Sequence, residues 1–202
     1  RYTLSVQMEI DKEGNVVASD MYKGIIRVTE RMNYSDVQKI LDGSDEKVFK
    51  KYKPYISHFK LMEELAQILK NKRKEQGYLN LDIPESKIVL DNVTGKCIDV
   101  KKYETNFSNE IIEQFMLTAN ETVAERFFWN EVPFIYRVHE EPDIDKVKEL
   151  NKMLFNFGYK IHISQDKVYP TSFSKILADV KGKPEEKVVS NLILRTLKVA
   201  KY

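Results

Sequence analysis

The 202 residues are 42% hydrophobic and 32% charged, enough apolar material for a folded domain, and no apolar run exceeds three residues, which excludes a membrane-spanning helix of about 18. The seven glycines are never closer than ten positions, which excludes a P-loop or a dinucleotide fingerprint, and thirty-three basic against thirty-one acidic residues leave no bulk positive field for a polyanion. The one cysteine, Cys97, permits no internal disulfide and suits a reducing cytoplasm.

The chain opens with Tyr2, Leu4, Val6, Met8 and Ile10 in alternation, a strand signature that begins at once, and the segment DKEGN then offers Gly14 for a hairpin turn into NVVASDMYKGIIRV. Ser35 followed by Gln38 predicts a capping box for a short helix closed by Gly43. Pro54 predicts the start of a longer amphipathic helix with Tyr55, Phe59, Met62, Ala66 and Leu69 on its inner face and Gly77 as its stop. From Gly77 the period changes to two, so YLNLDIP, SKIVLDN and KCIDVKKYE read as three strands that continue the sheet, the last two joined through NVTG.

Ser108 predicts the cap of a helix through about Trp129, with Ile112, Phe115, Met116, Ala119, Val123 and Phe127 as its buried stripe, and VPFIYRVH reads as a buried strand after it. A helix over about Asp143 to Phe157, a short one near Ser172 to Val180, and a final one from Pro184 with Val188, Leu192, Leu194 and Leu197 inward complete the chain. The order of segments predicts an α+β fold, a largely antiparallel sheet packed with several amphipathic helices. With no repeat and no Gly/Ser linker, residues 1–202 read as one unit. Beginning at Arg1 within a strand pattern and ending at Tyr202 within a helical stripe, the chain reads as an excerpt of something longer.

Two constellations invite a chemical reading. HEEPDID crowds His139, Glu140, Glu141, Asp143 and Asp145 into seven positions, but acids around a helix N-terminus are stabilised by the macrodipole without any metal, and this reading is preferred. His58 and His162 have no second ligand at helical spacing, and no serine or cysteine sits in a nucleophile setting. The Asn-x-Ser/Thr triplets at Asn33, Asn92, Asn106 and Asn120 read as chance occurrences, since Asn120 falls inside a predicted helix. Between Lys47 and Lys74, nine basic residues alternate with Phe49, Tyr52, Tyr55 and Phe59, a mixture that suits single-stranded nucleic acid and equally suits a solvated helix face whose aromatics belong to the core.

Taken in order, RVTERMNYSDVQKIL, LDIPE after Gly77, NEIIEQFMLTANETVAERFFW, VPFIYRVHEEPD and SNLILRTLKVAKY resemble the central part of the catalytic domain of ribonuclease R, within the ribonuclease II superfamily, along essentially the whole chain. The resemblance implies an incomplete catalytic domain of that type, cut from a processive hydrolytic exoribonuclease. The parent would degrade single-stranded RNA from its 3′ end to nucleoside 5′-monophosphates. Magnesium is implied as cofactor, held by an aspartate cluster preceding this chain, with an arginine segment following it, so the chain alone is expected to be inactive.

By the same resemblance Tyr34 packs near the last nucleotides and Glu113 accepts a ribose 2′-hydroxyl, while Leu81 stands where the family often has a base-stacking phenylalanine. Tyr34 also reads as a hydrophobic staple and Glu113 as a solvated helix glutamate. Arg126, Arg137 and His139 lie in matching motifs without an assigned role. The rival reading is a non-catalytic RNA-binding or scaffold protein of the same fold.

Overall fold

A computed structural model describes residues 1–79, 86–103, 105–163 and 167–202. They gather into two compact units, one of residues 1–70 and 83–130, the other of 71–82 and 131–202, with the division falling inside a helix.

The first unit opens with strands β1 (Tyr2–Ile10) and β2 (Val16–Ile25), paired antiparallel with Tyr2 opposite Ile25 and a register shift at Glu9/Ile10. Gly14 turns the hairpin at φ 79°, and Asp11 closes it by accepting the backbone N–H groups of Glu13 and Asn15. Helix α1 (Tyr34–Asp42) follows, ended by Gly43 in the left-handed conformation. Its cap is not the predicted Ser35 but Asn33, whose Oδ1 accepts the Asp36 N–H at 2.8 Å while its Nδ2 donates to the Asp36 carboxylate at 3.0 Å. Helix α2 (Glu46–Lys51), capped by Asp45, and a 3-10 turn over Lys53–Tyr55 come next. Pro54 lies in that turn, so the long helix α3 (Ile56–Glu75) begins two residues after it.

Strands β3 (Ser86–Leu90) and β4 (Cys97–Lys102) form a second antiparallel ladder. It is separate from the first: among the described residues the protein has two two-stranded sheets instead of one continued sheet. Most of the strand expected over YLNLDIP lies outside the described residues.

Helix α4 (Phe107–Trp129) corrects two expectations. Its N-cap is Asn106, whose N–H donates to Asn109 Oδ1 at 3.1 Å, and Ser108 sits buried inside the first turn. Its inward face is Ser108, Ile111, Gln114, Thr118 and Thr122, about one position off the predicted stripe, and Ile112 and Met116 are exposed. Polar residues can line this face because each threonine is satisfied within the helix: Thr118 Oγ1 donates to the Gln114 carbonyl and Thr122 Oγ1 to that of Thr118, both at 2.8 Å.

The second unit is helical. Helices α5 (Ile144–Phe155), α6 (Pro170–Val180) and α7 (Glu186–Thr196) enclose a core of Val147, Leu150, Leu154, Ile161, Phe173, Ile176, Val180, Val189 and Ile193. Burying each such side chain contributes roughly 1.5–3 kcal/mol relative to exposure. Asp143 caps α5 and Pro170 starts α6, where its missing N–H costs nothing. Asn151 on α5 holds the Ile161 backbone from both sides, accepting its N–H at 2.7 Å and donating to its carbonyl at 2.9 Å.

Two further expectations change here. VPFIYRVH is not a buried strand: Phe134, Ile135 and Val138 are exposed, and the segment's backbone pairing is a single bridge between Val138 and Lys201. A β-prone run forms a ladder only where an open edge lies beside it, and among the described residues only Lys201 offers one. The final helix stops at Thr196, and its inward positions are Val189, Ile193 and Thr196 instead of Val188, Leu194 and Leu197.

Candidate nucleic-acid interface

Tyr34 is the first residue of α1, where the Asn33 cap fixes its backbone and its side chain remains 45% exposed. Behind it lies a relay: Lys51 Nζ donates to the Tyr52 hydroxyl at 2.7 Å, and that hydroxyl donates to the Asp36 carboxylate at 3.2 Å. The hydrogen bond to the Tyr52 oxygen raises the pKa of the Lys51 ammonium above its ordinary value. Asp36 therefore serves both the Asn33 cap and Tyr52, and holds the start of α1 to the end of α2.

Glu113 lies on the second turn of α4, on the exposed side of the helix opposite Ile111. Helices α1 and α4 are tied together by Gln38, one turn after Tyr34, whose Oε1 accepts the buried Ser108 N–H at 3.0 Å. This link was not legible as such in the sequence, where Gln38 reads as part of a capping box. Lys70 on α3 pairs with Glu110 and lies 5.7 Å from the Phe107 ring centroid, which anchors the first turn of α4. Tyr34 and Glu113 are thus carried on two linked helices of one unit, while Leu81 lies outside the described residues.

The basic, aromatic stretch resolves into parts. Tyr52 is core, Tyr55 and Phe59 are half-buried, and Phe49 is exposed. Lys60 pairs with Glu63 at 2.9 Å and Lys50 with Glu46 at 3.6 Å. Lys47 and Lys53 are exposed and make no ion pair among the described residues.

The acids of HEEPDID do not converge. Glu140 accepts Lys201 Nζ at 2.7 Å and lies 3.3 Å from Lys198 Nζ, Asp143 caps α5, and His139 Nδ1 lies 3.4 Å from the Lys198 carbonyl oxygen. Among the described residues no three His, Cys, Asp or Glu side chains are grouped to hold a metal ion, so these residues do not fit magnesium. Arg126 donates to the Ser19 carbonyl at 2.8 Å and fastens α4 to β2, a structural task. Asn33 and Asn106, both in glycosylation-like triplets, are helix caps. Chemically, Tyr34 offers a phenol that can donate, accept and pack, and Glu113 a carboxylate that can accept.

The RNB domain model matches residues 1–202. The chain belongs to the RNB-domain family. It is 37% identical over 202 residues to Ribonuclease R of Aquifex aeolicus and 37% identical over 203 residues to Ribonuclease R of Thermotoga maritima, in each case over all of this chain. The chain spans 28% of the length of those two relatives. Among solved structures, Mycoplasma genitalium RNase R in complex with ribose methylated single-stranded RNA superposes with a TM-score of 0.88 at 25% identity, over 99% of this chain and 31% of that one. The RNB fold also covers this chain in yeast Ssd1, described as a pseudonuclease, with a TM-score of 0.68 at 17% identity over 24% of that protein. That likeness concerns the fold alone.

Proposed function

We propose that this chain is the central part of the catalytic domain of a hydrolytic exoribonuclease, which degrades single-stranded RNA processively from the 3′ end to nucleoside 5′-monophosphates in the cytoplasm. The observation that carries this reading is the RNB match over residues 1–202, supported by relatives named Ribonuclease R at 37% identity along the whole chain. The lone, exposed Cys97 accords with a reducing compartment.

Within that enzyme the chain binds and orients RNA. Tyr34 packs and hydrogen-bonds at the sugar of a terminal nucleotide, and Glu113 accepts a ribose 2′-hydroxyl, a donor that DNA lacks. Magnesium dependence rests on the resemblance. The described residues supply no ligand set for it, so no step of the chemistry is assigned to them and the isolated chain is expected to be inactive.

The test is to incubate the full-length protein, and separately this chain, with 3′-labelled single-stranded RNA and magnesium. Release of labelled mononucleotide by the full-length protein alone is the expected result, and endonucleolytic fragments or no cleavage by it would overturn the reading. The second reading, a non-catalytic RNA-binding or scaffold protein of the same fold, is selected by retained RNA binding without any mononucleotide release.

A further inference from the structure

We propose that the β3–β4 ribbon is an RNA-contacting arm, in which Lys87 and Lys101 bind the phosphodiester backbone of the strand. This deepens the proposed function and rests on it.

The register places Lys87 directly opposite Lys101, with Lys102 beside them opposite Ser86 at the open end of the ladder. Like charges directly opposite one another destabilise an antiparallel pair. A two-stranded hairpin is marginal by itself, and this one draws little help from burial: all six residues of β4 are exposed and only Val89 of β3 is half-buried. A cross-strand lysine pair is therefore an unfavourable choice for the ribbon as a piece of structure.

The local acids do not remove the conflict. Asp91 is committed to the turn, where it accepts the N–H groups of Val93 and Thr94 and the Thr94 hydroxyl. Asp99 lies 3.6 Å from Lys101 Nζ and is the one carboxylate paired with these lysines among the described residues, where Lys87 and Lys102 make no ion pair. Nor is the cluster a sample of a generally basic surface. The unit that carries it has seventeen basic against nineteen acidic residues, so these lysines stand against a slightly negative background.

A ligand with closely spaced negative charges turns the repulsion into affinity, and an RNA strand presents a phosphate at every nucleotide. The exposed ribbon meets it through lysine point charges, a contact that is salt-dependent and blind to sequence.

The test compares the full-length protein with its Lys87→Thr/Lys101→Thr variant, binding a single-stranded RNA in magnesium-free buffer across a series of salt concentrations. Losing two phosphate contacts is expected to make the slope of log affinity against log salt shallower by about 1.4, with binding weaker by up to about tenfold near 0.1 M salt. The melting temperature of the free variant is expected to hold or rise, because a threonine pair replaces two like charges. Lys87→Arg/Lys101→Arg is expected to keep the original slope, which separates charge from shape. Wild-type binding with an unchanged slope in the threonine variant would overturn the arm and leave the proposed function standing. A wild-type protein that does not bind RNA would overturn both.

Discussion

Gln38 of α1 accepts the backbone N–H of Ser108 in α4 across seventy residues of sequence, at 3.0 Å. The donor belongs to the first turn of a helix, where backbone N–H groups have no partner within the helix, and Ser108 is buried. Gln38→Ala removes the acceptor and leaves that N–H unsatisfied away from water, a loss of about 1–3 kcal/mol. Urea unfolding of the variant measures it. A change of only a few tenths of a kcal/mol would mean that water replaces the side chain. Because the same contact links the helices carrying Tyr34 and Glu113, RNA affinity should fall as well, although Gln38 itself is assigned no contact with RNA.

Gly77 makes a steeper prediction. Its φ is +86°, and a Cβ added there would lie 2.6 Å from the Thr171 backbone nitrogen at the start of α6. Gly77→Ala therefore combines left-handed strain of about 1–2 kcal/mol with a clash against backbone that has no rotamer to escape into. The expected destabilisation is above about 2 kcal/mol in denaturant unfolding, and a variant as stable as the parent would show that α6 can move aside.

Glu140 gives a pH dependence. Hydrogen bonds from Lys201 and then Lys198 hold its carboxyl below the ordinary value of 4.5. A depressed folded-state pKa contributes stability that is present above the unfolded value and lost as the pH falls through the folded one. Thermal melts between about pH 6 and pH 2 should thus show an acid limb that is shallower in Glu140→Gln than in the parent. Superimposable limbs would show that the pair is fully screened at this exposed site.

Glu113 and Tyr34 predict different phenotypes. Glu113→Ala in the full-length protein is expected to narrow the preference for RNA over DNA of the same sequence by about tenfold or more, the scale of one hydrogen bond to a charged acceptor. Tyr34→Phe removes the hydroxyl and Tyr34→Ala the ring as well, so affinities falling in that order identify both contacts. Equal affinity of the two variants would leave no packing role for the ring.

The sequence made the first hairpin, the body of α3, the Asp143 start of α5 and the Gly43 stop of α1 legible, because each is written in local chemistry: alternation, capping side chains, glycine at positive φ. The inward face of α4 was not legible from hydropathy. Its two threonines meet their hydrogen-bonding needs on the preceding turn, so polar residues face inward while Ile112 and Met116 face out. VPFIYRVH misled for a related reason, since a strand needs a neighbour that its own residues cannot specify. Of the site, two of the three residues suggested by the family resemblance, Tyr34 and Glu113, fall on helices of one unit, Leu81 lies outside the described residues, and the link between those helices is a long-range contact with no local signature.

The two back-bonded threonines of α4 have a consequence for how this helix tolerates change. At these two positions the helix meets the needs of its own hydroxyl groups, whereas the Ser108 N–H on the same face depends on Gln38 of α1. Serine at 118 or 122 keeps the internal bond and surrenders a methyl group, whereas valine keeps the shape and abandons the bond, and at 122 it also abandons the contact with Met8 Sδ of β1 at 3.3 Å. These two turns can therefore lose a little volume while the helix keeps its place, and with it the exposed position of Glu113.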